Sequence, residues 1–401
     1  MGGLGRQRYL WASLVILLPF AAVSLWLGMD RGLPVMSDFQ WSPSRLLLQH
    51  KDPYALFLSY VHGELAVPPY FLKQRPNYPA FGLLLLWPFA MLPWHAAKAA
   101  WLLASLGSAL GTVWLLVRAN FARSNRALAF LVLSALLFAS TSFRVTIHLG
   151  QHGLAALFLF FCAVALAESG RRRGAALFLA GSWLKYSITG PLALYFLARG
   201  KVRVLALAAL LDGALVLAAA AWTGRNPIAL AVEPLLVNRS GGIDAPGYIN
   251  LSQLLLPYGE AGFAAAVVLA LTLIGLAACL VRFRPSPDPL LTLSLLALLA
   301  AVVAFHEIYD MVILVVPATY ALRAWCERDG RSNAPLALLF ALLVAAVWFG
   351  ERLVDELRLR HFGAIHLAAS AAMAWLVPIL AYGSILAVFV LGFRRVRAPA
   401  A

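Results

Sequence analysis

Few residues of this chain have the means to do chemistry, and they sit between long apolar stretches. Asp38, in Ser37-Asp38-Phe39-Gln40-Trp41, follows the first apolar run by about ten residues. A carboxylate placed there can take the proton of an alcohol when it is partly desolvated. The same residue could instead cap a helix starting at Phe39. Asp52, ahead of Pro53-Tyr54, reads as a turn or cap residue, and Arg75, in Arg75-Pro76-Asn77-Tyr78-Pro79, as an anion ligand or the partner of a nearby acid. Lys185 interrupts a short apolar hairpin. An ionisable group at membrane depth is costly and marks function by default, although a lysine can also snorkel to the interface. Arg144 and His148 precede Gly150-Gln151-His152 at another helix end, where anchoring at the interface is the plainer role. His306-Glu307-Ile308-Tyr309-Asp310 is dense in ionisable groups. A zinc protease pattern would need a second histidine four residues on, and position 310 is Asp, so the segment suits hydrogen bonding and phosphate contact, with no metal expected. Arg239 lies in Asn238-Arg239-Ser240 and Asn250 in Asn250-Leu251-Ser252; both triplets match the glycosylation pattern, which is common by chance.

The elements that must position these residues are transmembrane helices. Of the 401 residues 62% are hydrophobic and only 12% charged, whereas soluble domains carry about 25% charged residues. The uncharged stretches 10–28, 99–117 and 261–281 are each long enough to cross a bilayer. The net charge of +15 would suggest nucleic acid in a soluble protein. Here it must first be divided by side of the membrane, because cytoplasmic loops collect Lys and Arg. Further candidate spans are 127–143, 151–167, 204–222, 289–305, 308–322, 335–349 and 365–390, with 174–198 as a tight hairpin carrying Lys185 near its tip. The stretch 79–92 is too short for a span and reads as interfacial. The expected fold is therefore all-α, one polytopic domain over residues 1–401 with about twelve transmembrane helices. Both termini are expected in the cytoplasm. Nineteen of the 32 Lys and Arg then fall in short cytoplasmic segments. Two large loops, about 29–94 and 223–260, face outward, the first bearing juxtamembrane helices. Cys162, Cys279 and Cys326 have no pairing pattern and read as packing residues.

Gathered where lipid meets water, the cations Arg75, Arg144, Lys185 and Arg239, with His306, would suit a lipid-linked phosphate. Transfer of a sugar from a polyprenyl phosphate expels a phosphate anion, which needs charge stabilisation, and the acceptor hydroxyl needs one base.

The order of these motifs resembles glycosyltransferase family 87, polyprenol-phosphate-mannose-dependent α-mannosyltransferases of the GT-C superfamily. The residues that carry the resemblance are Asp38-Phe39, Asp52-Pro53-Tyr54, Tyr78-Pro79, Leu92-Pro93, Gly150-Gln151, Lys185, Asn250-Leu251-Ser252, and His306 with Tyr309-Asp310. Ala80, His152-Gly153 and Lys185-Tyr186 depart from the family's usual residues at those points. The resemblance implies a GT-C-like fold and an inverting transfer of a sugar, mannose by association, from a polyprenyl-phosphate donor to an extracytoplasmic glycan or glycolipid. It implies no cofactor. Asp38 matches the family's general base, Lys185 would contact the donor phosphate and His306 would help to hold it, with Arg75, Tyr78, Arg144, Gln151, Arg239, Asn250, Tyr309 and Asp310 around the substrate. The expected partners are the donor, the acceptor and the lipid bilayer of a bacterial inner membrane, with no nucleic acid. A transporter or flippase of a lipid-linked or small polar substrate is the alternative. It would favour two related halves and broken helices at the midplane, and no half-to-half similarity is evident.

Overall fold

A computed structural model describes residues 3–66, 74–240, 251, 255, 258–283, 286, 288–304, 307–326, 333–359, 363–388 and 390. All regular structure among them is helical. Five helices are long and apolar enough to cross a membrane: α1 (Gly3–Val35), of which 7–35 qualifies, Trp94–Asn120, Val202–Thr223, Gly259–Phe283, and the continuous run Ile308–Cys326. The bent pair Arg123–Ala139 and Thr141–Leu149, with 65° between its arms, makes a sixth. These helices leave large apolar side chains such as Trp26, Leu103, Leu210 and Leu271 on the outer surface. A soluble protein would bury such residues; lipid accepts them.

Two of the remaining apolar helices, Gly153–Glu168 and Pro289–Val303, run to 16 and 15 residues. Ala334–Leu359 and Gly363–Ala387 are 26 and 25 residues long, with their side chains only partly among the described residues, so length and composition alone give five or six crossings among the described residues, against the twelve or so expected. Boundaries shift too. The first helix does not stop at residue 28 but runs on through Asp30 and Arg31 to Val35, so the first loop starts near Met36. An exposed charged pair does not end a helix whose hydrogen-bond ladder continues. The backbone beyond position 349 likewise stays helical to Leu359. The stretch 79–92 is two short helices, Ala80–Leu85 and Trp87–Ala90, separated by Leu86.

In chain order α1 is followed by α2 (Trp41–Leu48), α3 (Pro53–Val61), α4 (Ala80–Leu85) and α5 (Trp87–Ala90), all within the first loop, and then by α6 (Trp94–Asn120), α7 (Arg123–Ala139), α8 (Thr141–Leu149), α9 (Gly153–Glu168), α10 (Arg172–Ser182), a 3₁₀ turn at Trp183–Lys185, α11 (Tyr186–Leu192), α12 (Leu194–Ala198) and α13 (Val202–Thr223). They are followed by α14 (Pro227–Ser240), α15 (Gly259–Phe283), α16 (Pro289–Val303), a 3₁₀ run at Ile308–Leu314, α17 (Val315–Cys326), α18 (Ala334–Leu359) and α19 (Gly363–Ala387). α9 packs between α6 and α10, α11 lies on α16, and α1 lies along both α7 and α8.

The approach of α1 to α8 needs a residue without a side chain. A Cβ on Gly32 would stand 2.9 Å from the His148 Cα and 2.9 Å from the Ile147 carbonyl oxygen, both backbone atoms. That contact fixes the end of α1, and with it the residues that follow, against the end of α8.

Candidate active site

Two chain reversals bring the central residues together. After α1 the backbone turns at Met36, buried and left-handed at φ 41°, a conformation that costs a non-glycine residue of order 1 kcal/mol or more. The turn puts Asp38 beside the end of α8, where the Asp38 N–H donates to the Leu149 carbonyl at 2.9 Å. Asp38 does not cap α2: that helix begins at Trp41 behind Gln40, without a side-chain cap. Asp52 does act as a cap, its Oδ1 accepting from the N–H groups of Tyr54 and Ala55. Below Asp38, the fully buried Phe39 stacks on Trp94 and Trp101 at ring distances of 6.1 and 5.1 Å.

The second reversal ends α8 at Gly150, left-handed at φ 71°. The Gly150 carbonyl accepts from the Trp101 indole at 2.9 Å, and a Cβ here would meet the Phe39 Cβ at 2.9 Å. Gly150→Ala must therefore both adopt an unfavourable backbone and displace the residue next to Asp38. We expect a lower melting temperature in detergent and a fall in activity of roughly 10–100-fold, because misplacement of a reacting group by about 1 Å has that effect. Unchanged activity would show that Asp38 tolerates the shift.

Gly150 presents Gln151 to the centre of the site. The Gln151 Nε2 donates to the Asp38 Oδ2 at 2.7 Å, and the Gln151 Oε1 accepts from the Tyr78 hydroxyl at 2.9 Å and the Lys185 ammonium at 3.0 Å. Lys185 ends the 3₁₀ turn after α10. Its Nζ also lies 3.2 Å from Asp310 Oδ1 and 3.3 Å from the Tyr78 hydroxyl, over the rings of Tyr78 and Tyr309. Asp310 comes from the 3₁₀ run 308–314, which packs on α8 and α9 and which α8 grips through the Thr146 hydroxyl donating to the Tyr309 carbonyl at 3.0 Å. Gln40 completes the rim, its Nε2 donating to the Asp38 carbonyl at 3.3 Å and to Asn77 Oδ1 at 3.4 Å.

The electrostatics follow from burial. Desolvation raises the pKa of the Asp38 carboxyl, opposed by the Gln151 hydrogen bond and the charges of Lys185 and Arg75, while Asp310 pushes it further up. Tyr78 is pushed up to about 12 by burial, so its hydroxyl keeps its proton and donates. Burial and then Lys185 hold His152 well below the usual imidazole range, so it is neutral. Glu307 is raised by burial and by the neighbouring carboxylates of Asp38 and Asp310.

Of the residues singled out in the sequence, the structure brings together Asp38, Tyr78, Gln151, Lys185, Tyr309 and Asp310. Arg75 is exposed, near enough to act on Asp38 electrostatically. Arg144 sits on α8, near His148 and Arg31. His306, Asn250 and the side chain of Arg239 lie outside the described residues. Sequence reasoning missed Gln40, Asn77 and His152 as parts of the site. His152 is fully buried, edge-on to Tyr78 at 4.6 Å, with neither ring nitrogen hydrogen-bonded among the described residues. Its only signal was adjacency to Gln151.

This is an ionisable cluster in an apolar bundle: the half-buried carboxylate of Asp38 stands at its edge, with the Tyr78 hydroxyl and the Lys185–Asp310 ion pair behind it. Such a constellation can accept one proton and hold a polar substrate. No curated protein and no solved structure matches the chain. A family model, Glycosyltransferase family 87, matches residues 77–306, which covers more than half of the 401 residues and includes Tyr78, Gln151 and Lys185. The chain, with its clustered carboxylate and its apolar helices, belongs to glycosyltransferase family 87.

Proposed function

We propose that this membrane glycosyltransferase moves a hexose, mannose by family association, from a polyprenyl-phosphate donor to an extracytoplasmic glycan or glycolipid hydroxyl, with inversion and with Asp38 as general base. In the reaction the acceptor oxygen attacks the anomeric carbon on the face opposite the phosphate. The new C–O bond forms as the bond from that carbon to the phosphate oxygen breaks, and its electron pair leaves with the polyprenyl phosphate. The hydroxyl proton passes to Asp38. The phosphate leaves one charge more negative and Asp38 ends neutral, so charge balances.

The observation that carries this reading is the placement of Asp38: a half-buried carboxylate on a short loop after a membrane-length helix, bonded to Gln151 at 2.7 Å, with Lys185 behind it. A desolvated carboxylate is a stronger base than an exposed one, and the end of a lipid-facing helix suits a donor whose polyprenyl chain stays in the bilayer. In this reading the shorter apolar helices complete about twelve crossings, both termini are cytoplasmic and Asp38 faces the other side of a bacterial inner membrane. Arg75, Arg239 and His306 are the proposed cations around the leaving phosphate, and Arg144 and Asn250 are proposed substrate contacts.

Reconstituted proteoliposomes given polyprenyl-phosphate-mannose and a mannoside acceptor should release polyprenyl phosphate and form a glycoside of opposite anomeric configuration. A nucleotide-activated mannose should not be consumed. Retention of configuration, or turnover of the nucleotide sugar alone, would overturn the proposal.

A further inference from the structure

We infer that Lys185 is a positioning residue, which fixes the direction in which the Gln151 amide faces and thereby holds the Asp38 carboxylate in place. The inference rests on the reading of Asp38 as the base. It gives Lys185 a different task from the direct contact with donor phosphate that the family resemblance implies.

The partners of the ammonium argue for it. A lysine has three N–H donors, and three acceptors surround this one: Asp310 Oδ1 at 3.2 Å, Gln151 Oε1 at 3.0 Å and the Tyr78 hydroxyl at 3.3 Å. Tyr78 and Tyr309 cover it with their ring faces, at 5.3 and 5.0 Å. The side chain is only 12% exposed, and that of Asp310 is 4% exposed. A phosphate could bind this ammonium directly only by displacing a partner and desolvating itself among tyrosine rings. An ion pair this buried is costly to assemble, and one use that repays the cost is fixing a unique arrangement of neighbouring polar groups.

The group so fixed is Gln151, whose amide has a donor end and an acceptor end. Its carbonyl receives two donors, from Lys185 and Tyr78, and its NH₂ faces the Asp38 carboxylate. Rotating the amide by half a turn would set its carbonyl against that carboxylate and its NH₂ against the ammonium. Both contacts are repulsive, so Lys185 selects a single orientation. The three side chains come from separate elements: the loop after α1, the α8–α9 junction, and the tip of the α10–α11 hairpin. Asp310, from a fourth element, pins the lysine. Lys185 thus acts on the base through Gln151 rather than on the substrate.

A kinetic double-mutant cycle tests this, with Lys185→Met, Gln151→Leu and the pair assayed by polyprenyl phosphate release from polyprenyl-phosphate-mannose in proteoliposomes. Each single change should lower kcat by roughly 30-fold, leave the donor KM within about twofold and move the acid limb of the pH profile upward; the pair should lie within about threefold of either single variant. The limb moves up because each change removes an interaction that favours ionised Asp38 over its protonated form. Multiplicative losses, with Lys185→Met raising the donor KM about tenfold or more in both backgrounds, would overturn the inference and return Lys185 to the phosphate. Lys185→Met leaves Asp310 buried without its cation, so Lys185→Met/Asp310→Leu serves as the second variant. It should fold and show the same kcat loss at unchanged donor KM. Asp38→Asn separates the two ideas. An active Asp38→Asn protein defeats the reading of Asp38, whereas an inactive one alongside a multiplicative cycle defeats the inference alone.

Discussion

Asp38→Asn should abolish sugar transfer while leaving the protein folded. Removing a positioned general base lowers rates by roughly 10²–10⁴-fold. The change preserves the anchors of the loop. The backbone N–H of position 38 still donates to the Leu149 carbonyl, and the Asn side-chain oxygen can still accept from Gln151 Nε2. Phe39 remains clamped by Trp94 and Trp101. The melting temperature in detergent should therefore stay within a few degrees of wild type, and the loss should appear in kcat with little change in donor KM. The wild-type pH profile supplies the companion result. The base works ionised, and its pKa is raised by burial, so activity should fall away on the acid side at a pH above the value near 3.9 of a free aspartate. A variant that keeps wild-type kcat would remove Asp38 as base, whatever its other properties.

Much of this site is legible in the sequence because each of its polar residues interrupts an otherwise apolar chain. Lys185 in a short hairpin, Gln151 behind a glycine and Asp310 at the end of an ionisable run between apolar stretches are conspicuous where polar groups are expensive. What the sequence does not carry is their pairing. Lys185 and Asp310 are far apart in the chain, and only the packing of α9 and α11 against the 308–314 run and α16 makes them neighbours. The amide of Gln151 looks like a substrate ligand until its two ends are seen to be engaged. From its position alone Asp38 reads first as a cap and only second as a base, and what decides against the cap is a helix that starts three residues later. Helix ends follow the same pattern. The hydropathy drop at Asp30-Arg31 suggested an end that the backbone ignores, because a polar pair on the exposed side of α1 costs its hydrogen-bond ladder nothing. The number of crossings is harder to read, since hydropathy measures apolar length whereas chain breaks at Ser140 and Ala304 depend on tertiary contacts.

The second large effect is expected at the other end of the helix pair that leads into and out of the site. α16 starts beside Asp288 and runs toward the segment holding Asp310; α17 leads away and carries Arg323. Asp288 caps α16, its Oδ1 accepting from the Leu290 N–H at 3.1 Å, and it takes a bidentate contact from Arg323, whose Nη1 lies 3.1 Å from the same oxygen while Nη2 bonds Oδ2. Both side chains are buried, at 8% and 5% exposure. Arg323→Met leaves the carboxylate unpaired in that environment, and breaking a buried pair from one side costs about 3–5 kcal/mol. Thermal unfolding in detergent should show a large loss of stability and a poor yield. Arg323→Met/Asp288→Ser removes both charges and keeps a capping hydroxyl for α16, so it should recover most of the loss. If the double variant is as unstable as the single, the guanidinium stabilises α17 by other means, its contact over the Tyr320 ring being the first to test. The folded fraction of the double variant should turn over at the wild-type rate, since this pair lies away from the reacting groups. The pair Lys185–Asp310 differs in kind. There, neutralising both partners should restore the fold without restoring kcat, and that contrast separates an ion pair that holds two helices together from one that holds a catalytic group in place.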